Sequence, residues 1–245
     1  MEERTITYFA SDFHLGSPNH QESLVREKKA CRWLTSIEPS AKAIYLVGDI
    51  FDFWFEYNLV IPKGFERLKG KLAQLSDKGI KIHFFPGNHD LWTFGYLEKE
   101  LGMIVHRNPL ITEIDGQQFY ITHGDGLCEG AGKYNILKSI FSNPFCQWAF
   151  ERIHPNLGIH LAHMWSRRSR KKGGQVDNEK LKQGLITHAK KVLSNNDINY
   201  FVFGHLHEPL EIELTPNSKY ISIGDWITHF SYLEFQKNTL LLKYF

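Results

Sequence analysis

Cysteine is scarce in this chain: Cys31, Cys128 and Cys146 are three in 245 residues, odd in number and without a patterned spacing. That excludes a disulfide framework and a cysteine-rich zinc motif, and it suits a reduced, cytosolic protein. The first residues, MEERTITYFA, hold no apolar signal region. No run approaches the roughly 18–20 consecutive apolar residues that cross a bilayer, so any membrane contact is expected to be peripheral. Excess charge is missing too: 29 Lys and Arg stand against 27 Asp and Glu, a formal charge of +2, and bulk electrostatics gives no argument for nucleic acid. There is no repeat of fixed period and no low-complexity tail. What is present is core material. At 42% hydrophobic and 14% aromatic, the chain can bury one large domain, or a domain that carries an insertion.

Short β-rich runs that end in polar motifs recur along the sequence: TITYFASDFH, KAIYLVGDIFD, IKIHFFPGNHD, QQFYITHGDG and NYFVFGHLH. Between the first three lie helical patterns, ESLVREKKACRWLTSI and GFERLKGKLAQLSDKG, the second stopping at Gly79. Strand and helix alternate there, which predicts βαβ units. Later the pattern changes: LITEIDGQQFYITHG reads as a hairpin turning at Asp115-Gly116, and SYLEFQKNTLLLKYF as another turning near Lys237-Asn238. An α/β sandwich with antiparallel additions follows. Residues 130–172 break the alternation, with helix-like apolar spacing, two prolines at expected breaks, and Phe and Trp interleaved with basic residues. They read as a helical insertion in a single domain spanning 1–245, and a further helix, NEKLKQGLITHAKKVLSNN, leads back to the strand before GHLH.

Every polar motif stands at a strand exit: Asp12 and His14; Asp49 and Asp52; Asn88, His89 and Asp90; His123 and Asp125; His205 and His207. Open α/β sheets place ligand sites beyond the carboxyl ends of their strands, so these five segments are expected to converge. Imidazole, carboxylate and amide oxygen together suit two divalent ions, Mn, Fe or Zn, bridged by a carboxylate. A pair of cations about 3.5–4 Å apart can activate water, neutralise phosphoryl oxygens and align attack on a phosphate ester or anhydride. Gly48, Gly87, Gly124 and Gly204 each precede a candidate ligand, where the absence of Cβ lets the backbone come close. Asp52 and Asp90 are expected to cap a helix or orient a ligand rather than bind metal. His83, His106 and His154 have no motif around them and read as structural or exposed.

In order, DFH, GDIFD, GNHD, THGD and GHLH resemble the five motifs of the calcineurin-like metallophosphoesterases, over residues 12–207. The resemblance implies a four-layer α/β/β/α sandwich with mixed sheets. It further implies that Asp12, His14 and His207 hold one metal, that Asn88, His123 and His205 complete the second, and that Asp49 bridges them. His89 and Asp49 are the expected catalytic residues.

The longer words SDFHLG, VGDIFDFW and HGDGLC, with the insertion, resemble the UDP-2,3-diacylglucosamine pyrophosphatases of lipid A synthesis over nearly the whole chain. That likeness implies release of UMP and 2,3-diacylglucosamine 1-phosphate, usually with manganese, at the cytoplasmic face of the inner membrane. No obligate protein partner and no nucleic acid are expected. Many members of that family carry Arg after the motif Asn, where this chain has His89.

Two acyl chains require an apolar trough, at roughly 0.8 kcal/mol per buried methylene. Phe141, Phe145, Trp148, Phe150 and Trp165 of the insertion, read as a lid, are candidates, although aromatics at this spacing also make ordinary core. The run of Arg167, Arg168, Arg170, Lys171 and Lys172 could hold the pyrophosphate, meet an anionic inner leaflet, or simply be a solvated face. Asn88, His89, Asp125 and Tyr134 complete the expected substrate contacts. Two rival functions remain: a phosphoesterase for another nucleotide, cyclic nucleotide or phosphoprotein, and a non-enzymatic scaffold of the same fold.

Overall fold

The computed structural model describes residues 4–128, 132–173 and 178–245, without the side chains of residues 133, 163, 165 and 167–172. The amino-terminal half alternates as the periodicity predicts: β1 (Ile6–Ala10), α1 (His20–Ile37), β2 (Ala41–Val47), α2 (Glu66–Asp77), β3 (Lys81–Phe85), α3 (Tyr96–Leu101) and the short β4 (Ile104–Val105). β1 to β4 pair in parallel. Helix α1 opens where Asn19 accepts from the Glu22 amide, and it buries Ala30, Trp33, Leu34 and Ile37, the i, i+3, i+4, i+7 stripe of an amphipathic helix. Its buried Glu27 accepts from the Arg67 and Leu68 amides at 2.8 and 3.1 Å, satisfying the start of α2, whose own preceding residue supplies no side-chain cap.

Strands β5 (Leu110–Ile114) and β6 (Gln117–Thr122) form the first expected hairpin, with Asp115 at φ 46° and Gly116 at φ 81° as its two left-handed turn residues. Then come α4 (Gly132–Ser142), α5 (Pro144–Glu151), α6 (Pro155–Gly173) and α7 (Asn178–Leu193). Asn143 accepts from the Phe145 and Cys146 amides and Pro144 sits in the first turn, so α5 starts on a cap and a residue that needs no amide partner. The chain closes with β7 (Tyr200–Phe203), β8 (Leu210–Thr215), β9 (Ser218–Ser222), β10 (Ser231–Gln236) and β11 (Thr239–Tyr244). β10 and β11 are the second expected hairpin, turning at Lys237-Asn238.

These strands build two mixed sheets, in the orders β11-β10-β1-β2-β3-β4 and β5-β6-β7-β9-β8. Alternation along β1 shows how the layers are filled: Tyr8 and Ala10 join the cluster under α1 and α2, while Phe9 points into the cluster between the sheets with Phe119, Val202 and Phe235. On the far side, Leu185, Ile186 and Ala189 of α7 pack on Tyr120, Phe201 and Phe203. Helix, sheet, sheet and helix make the four-layer sandwich. The parallel runs β1-β2-β3 and β6-β7-β9 bring their carboxyl ends to one seam, where the polar motifs lie.

Candidate metal centre

At that seam the backbone is bent hard. Asp12, His14, Asp49, His205 and His207 all have φ between 43° and 66°, a left-handed conformation that costs a residue with Cβ about 1–3 kcal/mol. Backbone bonds hold the bends: Asp12 N to Gly48 O at 3.0 Å, His14 N to Asp49 O at 2.9 Å, and Trp226 N to Asp12 O at 3.0 Å. Asp90 adds a carboxylate clamp, accepting from the amides of Gly87, Asp49, Ile50 and Phe51 at 2.7–3.2 Å. It therefore ties the exits of β2 and β3 together and caps no helix.

The bends aim side chains at common points. Asp12, His14 and His207 each offer an atom within 4.8 Å of the others, as do Asp49, His123 and His205; a third such group is His14, Asp49 and His89. One oxygen, Oδ2 of Asp49, lies 3.6 Å from His14 Nε2 and 3.4 Å from His123 Nε2. His207 Nε2 stands 3.3 Å from Asp12 Oδ1 and 3.3 Å from His14 Nε2. His123 is oriented by its other nitrogen, whose N–H donates to the Val47 carbonyl at 2.9 Å. His205 donates its amide to Asp12 Oδ2 at 3.1 Å, and its ring lies 5.1 Å from that of His123.

Several of these atoms are buried without a hydrogen-bond partner among the described residues: Asp12 Oδ1, Asn88 Oδ1 and His123 Nε2. Buried polar atoms are normally paired, so three orphans converging on one seam fit the donor set of a divalent pair. Glycine is required where the elements close in. A Cβ on Gly87 would strike Oδ1 of Asp49 and lie 2.6 Å from its amide, and one on Gly48 would strike the His123 ring.

Electrostatics follows from carboxylates packed among imidazoles. Burial alone would lower His14, but Asp12 and Asp52, then the Asp49 charge, outweigh it and raise it to about 10. Burial would likewise raise Asp49, and His123, His89 and His14 hold it well below the ordinary range. His205 goes the other way, pushed down to about 4 by burial and by its neighbour His123.

Asp52 is not on a helix end either. Its Oδ1 lies 3.5 Å from His14 Nδ1, its carbonyl accepts from His89 Nδ1 at 3.0 Å, and its Oδ2 accepts from Ser166 Oγ of α6 at 3.2 Å. Asp125 is engaged with α4: it accepts from Tyr134 Oη at 2.7 Å and Lys138 Nζ at 2.6 Å. Burial would raise this carboxyl, and His123 and Lys138 lower it instead.

The aromatic candidates separate. Phe150 packs against Phe55 and Trp92 at 4.8 and 4.9 Å, and Phe141 meets Trp92 edge-on at 5.4 Å, so both serve to dock the helices on the sandwich. Phe145 and Trp148 stack on each other at 5.7 Å and are exposed. A cleft of about 710 Å³ is lined by Phe55, Tyr57, Leu59, Phe94 and Trp148, among others. The side chains of Trp165, Arg167, Arg168, Arg170, Lys171 and Lys172 lie outside the described residues. His83 and His106 hydrogen-bond each other at 2.8 Å, while His154 is exposed.

Sequence reasoning missed Asp225, Ser166 and Lys138. Asp225 had a signal, since KYISIGDW repeats the strand-glycine-aspartate pattern at the exit of β9. Ser166 had none.

The family model described as calcineurin-like phosphoesterase matches residues 7–209. A protein of Porphyromonas gingivalis named UDP-2,3-diacylglucosamine hydrolase is 36% identical, with 98% of this chain and 97% of that one covered. One of the same name from Aeromonas hydrophila is 28% identical, with 93% of each covered. Among solved structures, a dimetal phosphatase from Danio rerio matches at TM-score 0.48 and 13% identity, covering 99% of this chain and 96% of that one.

Proposed function

The chain belongs to the calcineurin-like phosphoesterase family, and from that premise we propose that it is a dinuclear-metal hydrolase that cleaves the pyrophosphate of UDP-2,3-diacylglucosamine to UMP and 2,3-diacylglucosamine 1-phosphate. The observation that carries this is Oδ2 of Asp49 facing both ligand groups, 3.6 Å from His14 Nε2 and 3.4 Å from His123 Nε2, in a chain similar along its whole length to hydrolases of that name.

Asp12, His14 and His207 would hold one divalent ion and Asn88, His123 and His205 the other, with the Asp49 carboxylate facing both groups. Such ions, manganese by preference with iron or zinc also suited to these ligands, would supply a lowered water pKa and neutralise phosphoryl charge. Around them the protein sets the geometry. His89 donates Nδ1–H to the Asp52 carbonyl, which turns its Nε2 toward the phosphoryl group. With Nε2 protonated as well, the imidazolium would stabilise negative charge that develops during attack. The departing group is a phosphate monoester with a second pKa of about 6, so it leaves without needing a proton from His89.

Helices α4 to α6 act as the lid. Ile140, Phe145, Trp148, Leu157, Leu161 and Met164 are exposed on them, more apolar surface than a solvated lid needs and suited to acyl chains. Asn88, Asp125 and Tyr134 complete the proposed substrate contacts; the side chains of the basic run from Arg167 lie outside the described residues. No helix among the described residues is long and apolar enough to cross a membrane. The contact proposed with the inner leaflet is peripheral, on its cytoplasmic face.

The test is UMP release from UDP-2,3-diacylglucosamine by the manganese-loaded protein in detergent, beside UDP-N-acetylglucosamine and an aryl phosphate. Release from the acylated substrate alone is expected, because acyl binding energy is spent in the transition state. Turnover of the aryl phosphate alone would keep the chemistry and overturn the substrate.

A further inference from the structure

Of all the histidines in the seam, His207 is the one that packing alone does not fix. Its side chain is 38% exposed, against 3% for His14 and 1% for His123. Its Nε2 is nevertheless aimed at Asp12 Oδ1, and the cause lies on the other side of the ring: Oδ2 of Asp225 stands 3.4 Å from His207 Nδ1. Asp225 is itself rigidly placed. Its Oδ1 accepts from the Thr228 and His229 amides at 2.9 and 3.0 Å, its carbonyl accepts from Ser231 N at 3.3 Å, and the next residue, Trp226, donates its amide to the Asp12 carbonyl. The two carboxylate oxygens thus divide their work, one closing the loop after β9 and the other facing the imidazole.

We infer that Asp225 is a positioning residue of the metal centre, which holds the proton of His207 on Nδ1 so that Nε2 presents its lone pair to the ion shared with Asp12 and His14. This rests on the two-metal reading above. A carboxylate behind a ligating histidine fixes both tautomer and ring orientation, and such partners are worth about 10- to 100-fold in metal affinity. Asp225 sets the fourth corner of the first site from β9, a strand that supplies no ligand of its own.

The substitution Asp225→Asn separates this role from loop closure. The amide oxygen still accepts from Thr228 and His229, but the new NH₂ faces Nδ1 and favours the tautomer protonated on Nε2, which cannot ligate. Calorimetric titration of the metal-free full-length protein with Zn²⁺ is expected to show two ions for the wild type. For Asp225→Asn one of the two should weaken by about 10- to 100-fold while the other is unchanged, with the metal-free melting temperature preserved. An independent reading on the wild type is the imidazole nitrogen spectrum of the zinc-loaded protein, in which His207 should carry its proton on Nδ1. Two ions bound by Asp225→Asn with wild-type affinities, or a His207 protonated on Nε2, would overturn the inference and leave the metal centre standing. A wild type that binds no zinc would overturn both. If the variant does not fold, the nitrogen spectrum decides alone.

Discussion

His123 Nε2 lies 3.4 Å from Oδ2 of Asp49, and the two residues come from different sheets. Asp49 follows β2 of the six-stranded sheet, His123 follows β6 of the five-stranded one, and the His123 Nδ1–H to Val47 carbonyl bond at 2.9 Å pins the pair. The candidate centre is therefore a property of the sandwich and not of either sheet alone, and residues that keep the two sheets in register are as necessary to it as the candidate ligands.

Removing the shared charge should end catalysis while sparing the fold. Asp49→Asn keeps an oxygen for the His89 amide, now bonded to Asp49 Oδ1 at 2.9 Å, but it loses the anion that faces His14 and His123. We expect turnover to drop by about 10³-fold or more, in line with the several kcal/mol that a metal pair contributes. Circular dichroism should be unchanged; retention of full activity in metal-controlled buffer would refute the role.

Gly87→Ala tests the close approach. The added methyl would collide with Asp49 at both its side chain and its amide. A loss of about 1–3 kcal/mol in urea unfolding is expected from overpacking, together with a fall in metal stoichiometry. An alanine variant that melts and binds metal like the wild type would show that the loop has slack.

Ser166→Ala probes how α6 is registered to the chemistry. Its hydroxyl bonds Asp52, whose other oxygen faces His14, and it lies 3.4 Å from His89 Nδ1. Loss of a hydrogen bond of about 1–1.5 kcal/mol predicts a fall of roughly 5- to 13-fold in kcat, with KM little changed and activity recovered in Ser166→Thr. An effect on KM alone would assign Ser166 to substrate binding.

Much of this arrangement is legible in the chain. Asp115-Gly116 and Lys237-Asn238 announce their hairpins because a two-residue turn needs positive φ at both positions, and few residue pairs supply it. The seam residues are legible because five strands end in the same kind of polar word. What stays hidden depends on partners distant in sequence. Nothing local distinguishes Phe150, docked on Trp92, from the exposed Phe145 five residues earlier, since in an eight-residue helix the apolar residues spread over more than one face and give too short a period to read. Ser166 reaches Asp52 across 114 residues, and no spacing rule links a serine on α6 to a strand exit. That β10 returns to pair with β1 is equally invisible, because an alternating strand suits either sheet.

A pH effect on stability is expected away from the seam. His83 hydrogen-bonds His106, stacks on Tyr45 at 4.2 Å, and neighbours Lys81; burial, then His106 and Lys81, push it down to about 4. The unfolded chain takes up that proton near pH 6.5, whereas the native state resists it until about pH 4. This contribution to stability is therefore complete above about pH 6.5 and is lost as the pH falls toward 4. The urea midpoint of the wild type should drop more steeply over that window than that of His83→Gln, and parallel profiles would rule the group out.

The central claim, two ions sharing Asp49, is tested most directly by adding Mn²⁺ to the metal-free protein while following its paramagnetic resonance. Two ions per chain with an exchange-coupled signal, as expected when about 3.5–4 Å separates them, is the predicted result. A single ion, or two uncoupled ions, would contradict the account.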